Sequence, residues 1–268
     1  LLVDANKIGE GCTGRNTGKV TTQHDIIYSK IKNKYDLEKA RNYYNGNKEA
    51  IDFIEKIVTE NNIECEFERG TSYIFAETDE GLRQLKEEYE VCKEIDIDCD
   101  YIEELPIPVE SKGAIAFNNV ASFNPKMYCD RLGDLIVKQG GKIFENSPVT
   151  QVESGEKCSF QTREGKWVQC EQLVLASHFP FYDGAGFFFS RLDPKRTYLV
   201  AGEVPEGFAE GMYINVEEPG RSIHYINKEN EHLLLIAGDS HKVGVDKGIN
   251  HYEVLKEYGR DKFGIKNY

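Results

Sequence analysis

The chain opens Leu1-Leu2-Val3-Asp4 and runs through Gly9-Glu10-Gly11-Cys12-Thr13-Gly14-Arg15-Asn16-Thr17-Gly18-Lys19 to Gln23-His24. The first four residues read as a short buried strand ending in an acid, and residues 9–19 read as a loop holding four glycines. Such a loop suits an anion. Its glycine amides are unhindered, Thr13, Asn16 and Thr17 add donors, and Arg15 and Lys19 add charge. An exposed glycine-rich turn is the plain alternative. The Walker A pattern fails, because Thr13 stands where its first glycine belongs and Val20 follows Lys19. Gly9 to Gly14 match G-x-G-x-x-G by letters, yet no regular helix opens at Gly14 and no strand-end acid follows about 20 residues on.

Downstream, residues 37–61 read as a long helix with Ala50, Phe53, Ile54, Ile57 and Val58 on its apolar face. Residues 63–67 and 72–76 read as strands. Thr78-Asp79-Glu80 reads as a helix start, followed by Leu82, Leu85, Tyr89 and Cys92 at helical spacing. Pro106 and Pro108 mark irregular backbone among short strands. Asn124-Pro125 reads as a cap and first helical residue, Gly140-Gly141 as the stop, and 142–144 as the next strand. Short strands are read near 149–152, 158–162, 167–169 and 173–176, with Gly155 and Gly165 punctuating a three-stranded meander. Strands at 196–203, 211–216, 222–227 and 232–237 are mostly antiparallel, and 251–263 is a helix. The fold class is therefore α/β (α+β overall), built of an α/β module (1–62, 124–182, 238–268) interleaved with a β-rich one (63–123, 183–237).

Composition narrows the function. The 268 residues carry 33 Lys and Arg against 46 Asp and Glu, a net charge of −13, which argues against nucleic acid as a partner. An apolar content of 40 % argues against disorder. The longest apolar run, 233–237, is too short for a bilayer, so no membrane is expected. The seven cysteines are scattered without a CxxC pair, and no signal-peptide pattern is visible. That pattern implies reduced thiols, no metal site and a cytoplasmic location.

The run from Leu1 through Gly11–Lys19 to His24 resembles the second segment of FAD-dependent oxidoreductases of the D-amino-acid oxidase type, to which glycine and sarcosine oxidases belong. The stretch Gly238-Asp239-Ser240-His241-Lys242-Val243-Gly244 is similar to bacterial members carrying an appended Rieske iron–sulfur module. The resemblance covers nearly the whole chain and is specific in 1–24. It implies an FAD-binding, Rossmann-like domain (1–62, 124–182, 238–268) and a substrate domain (63–123, 183–237). It also implies FAD as cofactor and hydride transfer to flavin from the C–N bond of an amine or amino acid.

Residue by residue, the resemblance places Asp4 on the adenosine ribose, where a carboxylate accepts from a diol. It places Thr13, Gly14, Arg15, Asn16, Thr17, Gly18 and Lys19 around the pyrophosphate. The backbone of Pro148-Val149 would meet the adenine, and Ala176 and Ser177 would pass the adenosine. His24 would lie in a helix start beside the substrate and is the candidate base. Arg191, Arg196 and Arg221 are candidates for a substrate-carboxylate fork, with Tyr213 and Tyr225 on neighbouring strands. Phe187, Phe188 and Phe189 either roof the site or fill a core strand. The sequence departs from the family pattern in several respects: the fingerprint precedes the acid by about 20 residues while Asp4 has three residues before it, and the family's C-terminal segment closing over the flavin is not expected on a chain that stops just after Phe263-Gly264. No CxH…CxxH pair is present, so a Rieske module would belong to the full-length protein.

These departures read as the interior of a longer enzyme whose first strand, fingerprint and first helix lie elsewhere. The missing strand would leave two edges unpaired, favour self-association and make FAD binding weak or absent and the chain inactive alone. The alternative is a non-catalytic nucleotide-binding or interaction module. A phosphate-binding protein using the loop alone is a further one.

Overall fold

A computed structural model describes residues 1–183, 186–228, 231–245 and 248–268. In chain order the elements begin with β1 (Leu2–Val3), a 3-10 turn (Cys12–Arg15), β2 (Lys19–Val20), α1 (Tyr28–Lys34), α2 (Leu37–Glu60), β3 (Glu68–Ala76) and α3 (Asp79–Glu94). There follow β4 (Cys99–Ile102), β5 (Gly113–Ser122), α4 (Pro125–Lys138), β6 (Ile143–Phe144), β7 (Val149–Glu153), β8 (Cys158–Thr162) and β9 (Trp167–Cys170). A second 3-10 turn (Phe188–Arg191), β10 (Lys195–Glu203), β11 (Met212–Asn215), β12 (Arg221–Lys228), β13 (Glu231–Lys242) and α5 (His251–Phe263) complete the chain.

The chain forms two compact units, one of Leu1–Arg15 with Pro125–Pro194 and the other of Asn16–Asn124 with Lys195–Tyr268. These boundaries differ from the expected modules: α2 and α5 fall in the second unit with the large sheet, because their apolar faces pack there. In the first unit β1 and β6 pair in parallel, Leu2 opposite Ile143 and Val3 opposite Phe144. The strand at 1–4 is thus bonded directly to the strand after α4, where a missing strand was expected to separate them, and in this two-stranded sheet each strand keeps one edge without a ladder partner among the described residues. Gly133 on α4 allows this packing, since a Cβ there would press on Ile8 at 3.0 Å and Ile143 at 3.5 Å. The meander forms as read, an antiparallel β7-β8-β9 sheet. Its β8–β9 turn carries Gly165 at φ +79°, a left-handed conformation that favours glycine. Residues 173–176, read as a strand, form none; Val174 is 86 % exposed and the segment has no ladder partner.

The second unit is built on an eight-stranded sheet in the order β10-β13-β12-β11-β3-β5-β2, with β4 also on β5. All its pairs are antiparallel except β11 with β3, which run parallel with Met212 opposite Ser72. Alternation along β3 divides the core. Ile74 and Ala76 enter a cluster with Tyr28, Ala40, Leu85 and Cys92 from α1, α2 and α3, while Phe75 enters another with Ile236, Leu255 and Phe263 from β13 and α5. Residues 63–67, read as a strand, are irregular because Glu66 takes φ +57°, which breaks extended backbone. The apolar face expected on α2 is shifted as well. Ile51 is buried and Phe53 is 62 % exposed.

Helix starts follow local chemistry where it exists. Thr78 accepts from Gly81 N at the head of α3, and Asn250 accepts from Glu253 N at the head of α5. Helix α1 has Ile27 at its cap position, which offers no side-chain acceptor. The acceptor comes from α3: the fully buried Glu88 takes the amides of Ile27 (2.9 Å), Tyr28 (2.8 Å) and Ser29 (2.8 Å), and the Ser29 hydroxyl (2.5 Å). A carboxylate at the positive end of a helix is the favoured arrangement.

Candidate functional site

In the first unit Asp4 stands at the C-terminal end of β1. Its amide donates to Phe144 O at 3.0 Å, its carbonyl accepts from Ser147 N at 2.8 Å, and its Oδ1 accepts from Asn6 N at 2.8 Å. The Ser147 bond places Pro148 and Val149, the start of β7, next to the acid. Ser147 carries this link and went unnoticed in the sequence, because nothing local marks which amide meets a strand end. Thr13, Gly14 and Arg15 lie in the exposed 3-10 turn. A Cβ on Gly14 would collide with the Gly9 carbonyl oxygen, whereas one on Gly11 would meet nothing within 4 Å. The turn is tight at its base and open on its flank. Cys12 Sγ lies 4.0 Å from His178 Nε2, so the turn and the segment carrying Ala176 and Ser177 are brought together. Ser177 Oγ donates to Phe179 O at 2.9 Å.

The other half of the loop belongs to the second unit. Asn16 Oδ1 accepts from Gly18 N at 2.7 Å, with Gly18 at φ +67°. The Thr17 carbonyl oxygen lies 2.6 Å from His224 Nδ1 on β12. Lys19, read as part of the loop, is the first residue of β2, and its ammonium donates to Tyr213 O at 3.2 Å. Burial of that ammonium drops its pKa to about 7. His224 was not singled out beforehand, because its partner is set by the strand packing of residues 207 positions apart.

His24 is exposed and precedes α1 rather than lying in its first turn. Its Nδ1 is 3.0 Å from Tyr43 Oη, the two rings meet edge to face, and desolvation lowers its pKa. Of the arginines, Arg191 ends the second 3-10 turn in the first unit, not in the large sheet. Arg196 is exposed on β10 opposite His241. Arg221 is buried, 3.5 Å from Asp239 Oδ1, with its guanidinium over the Tyr258 ring at 5.6 Å. Asp239 Oδ2 in turn meets His251 Nδ1 at 2.6 Å, and His251 stacks on Tyr198 at 4.4 Å. Tyr213 is fully buried, stacked on Tyr73 at 4.8 Å, its hydroxyl donating to the carbonyls of Ala209 and Glu210. Tyr225 is half-buried against Phe208. Phe187, Phe188 and Phe189 are exposed and form no strand.

Among the described residues no group of three metal-ligating side chains occurs. Among the described residues no helix is long and apolar enough to cross a membrane.

Comparison with known proteins bears on these sites. Residues 1–261 match the family described as FAD dependent oxidoreductase (DAO). The chain is 34 % identical over its whole length to YhfW of Bacillus subtilis (strain 168), a protein named for a Rieske 2Fe-2S iron–sulfur centre, and covers 53 % of it. It is 23 % identical, over 66 % of its own length and 43 % of the relative's, to gamma-glutamylputrescine oxidoreductase of Escherichia coli (strain K12). The chain thus spans about half the length of the curated relatives it matches. Its fold is that of glycine oxidase from Bacillus cereus ATCC 14579, with a TM-score of 0.72 at 11 % identity, covering 100 % of this chain and 74 % of that one.

Proposed function

The chain belongs to the FAD dependent oxidoreductase family, and from that premise we propose that it supplies part of the adenosine site and the substrate sheet of an enzyme oxidising an amine or amino-acid C–N bond. The arrangement around Asp4 carries this reading. An acid at the end of a parallel strand, one oxygen held by Asn6 N and the neighbouring Ser147 amide drawing in the β7 backbone, fits a ribose diol and an adjoining base. The open flank at Gly11 fits the close approach of a bulky anion. FAD, when bound, supplies the hydride acceptor.

The chain's own residues would then do the following. Asp4 accepts from ribose hydroxyls, Val149 and the Ala176-Ser177 turn flank the adenosine, and Thr13 to Gly18 offer amides and hydroxyls to the pyrophosphate. His24, its pKa lowered by desolvation, is the residue assigned to accept the proton of a substrate ammonium. Arg221 is committed to Asp239 and Arg191 sits in the first unit, so Arg196 is the sheet arginine assigned to a substrate carboxylate. Glycine and gamma-glutamylputrescine, named in the proteins it resembles, both carry nitrogen on an oxidisable carbon. The Rieske name of YhfW supports onward transfer of the two electrons to an iron–sulfur module of the full-length protein.

The test is a flavin spectrum of the full-length protein with anaerobic additions of amines and amino acids. Bleaching by an amine, lost in Asp4→Ala together with flavin retention, is the expected result. A flavin that stays bound and oxidised against every amine would overturn the reading and favour a nucleotide-binding module without catalysis.

A further inference from the structure

The β8–β9 hairpin places two cysteines directly opposite each other. Cys158 pairs with Cys170 in the antiparallel register, so both side chains stand on one face of the meander. The Thr162 amide donates to Lys166 O at the hairpin end, and Cys158 and Cys170 lie four residues further along in phase with that pair. Theirs is therefore a hydrogen-bonded pair, whose Cα atoms lie about 5.5 Å apart. That separation falls within the roughly 4.4–6.8 Å that a disulfide spans. Cys170 Sγ already leans across the ladder to within 3.6 Å of Cys158 O. Both residues are part-exposed, and among the described residues no disulfide is formed.

We propose that Cys158 and Cys170 form a reversible thiol–disulfide site on the meander, closed by hydrogen peroxide. One thiolate attacks the peroxide O–O bond, giving a sulfenic acid and a hydroxide that is protonated to water. The second thiol, losing its proton, attacks that sulfenic sulfur. The S–S bond forms, the S–O bond breaks and a second water leaves. In sum, two thiols lose two electrons and two protons, and one peroxide takes them up to become two waters. A disulfide across a hydrogen-bonded pair is a constrained one, and constrained, part-exposed disulfides are those that thiols readily reduce again.

The other cysteines supply the contrast. Cys92 and Cys99 also lie close, but both are buried in the core between α3 and the sheet, and their mutual hydrogen bond, followed by burial, pushes the Cys92 thiol well up. Cys12 is exposed and has no cysteine opposite it in a ladder, so it serves as an internal standard for peroxide access.

The experiment is a peroxide titration of the folded protein, quenched by alkylation in denaturant without reductant and mapped by mass spectrometry. Trypsin cuts after Lys157, Arg163 and Lys166, so the two cysteines fall in separate peptides and a linked pair is distinct. Expected is a Cys158–Cys170 linked peptide that appears at or below the dose modifying half of Cys12, and is returned to two alkylated peptides by dithiothreitol. In Cys170→Ser, Cys158 should instead accumulate as sulfenic acid, trapped by a dimedone probe. Full alkylation of Cys158 and Cys170 after Cys12 is wholly oxidised would overturn the proposal. So would their separate oxidation to sulfinic acids without a link.

Discussion

Helix α1 has seven residues, too few to stand alone in water, and no capping side chain of its own. Glu88 holds its first turn from another helix, which makes Glu88→Gln and Glu88→Ala a sharp pair of perturbations. In Glu88→Gln one carboxylate oxygen becomes an amide that faces backbone donors, so at least one charge-assisted bond is lost. Such a bond contributes about 1.5–3 kcal/mol, while removing a buried charge offsets part of that loss, and the net cost should be about 2 kcal/mol. In Glu88→Ala the amides of Ile27, Tyr28 and Ser29 all lose their acceptor in a site with no exposure, and the cost should rise to about 3–5 kcal/mol. Urea unfolding followed by far-ultraviolet circular dichroism gives the midpoints, and hydrogen exchange reports the three amides individually. The cost should be local first, with amides 27–29 losing protection at urea concentrations where β3 and β5 stay protected. A Glu88→Ala protein within about 0.5 kcal/mol of the parent, with those amides still protected, would refute the assignment of Glu88 as the α1 cap.

Lys19 makes stability depend on pH in a definite direction. Its folded pKa of about 7 lies below its ordinary value of 10.5, so between those pH values the unfolded chain binds the extra proton and stability rises with pH. Lys19→Met should therefore be the more stable protein at pH 7 and lose that advantage by pH 10; parallel urea midpoints for the two proteins across the range would contradict the burial of the ammonium. Asp239→Ala strands the buried Arg221 and the His251 imidazole, and a loss of about 3 kcal/mol is expected from thermal or urea melts. A loss below about 1 kcal/mol would mean the pair is screened by water. Asp4→Ala should weaken flavin retention in the full-length protein about tenfold or more, the equivalent of one charge-assisted hydrogen bond, read by equilibrium dialysis. Unchanged retention would remove Asp4 from the ribose.

Elements whose signals are local were legible. Thr78 announces α3, Pro125 opens α4, and Gly140 at φ +87° follows its end. The strands read at 196–203 and 232–237 fall within β10 and β13, the second reading ending five residues short of the strand's end. Elements set by distant partners were not. Helix α1 was expected only through the resemblance, as a helix start at His24, because its cap sits 61 residues away from Ile27. The parallel register of β11 on β3 leaves no trace in either strand's own pattern. The same division holds at the site. Asp4 was legible as an acid closing a strand, while Ser147 and His224 were not, since their roles rest on which backbone atom the fold brings to them. Lys19 read as a loop cation because Thr17 and Gly18 precede it. Strand β2 and the Tyr213 carbonyl give it a different setting.

The parallel pairing of β3 with β11 has a bearing on how the chain is made. Ser72 leaves the ribosome about 140 residues before Met212, its partner in the ladder. At about 5–20 residues per second, that edge of β3 waits roughly 7–28 s for the strand that covers it. The larger part of the first unit, residues 125–194, is translated within this interval. A nascent chain therefore carries a half-built sheet with one open edge while another compact unit is synthesised, and this is the period in which the newborn chain most needs shielding from its neighbours.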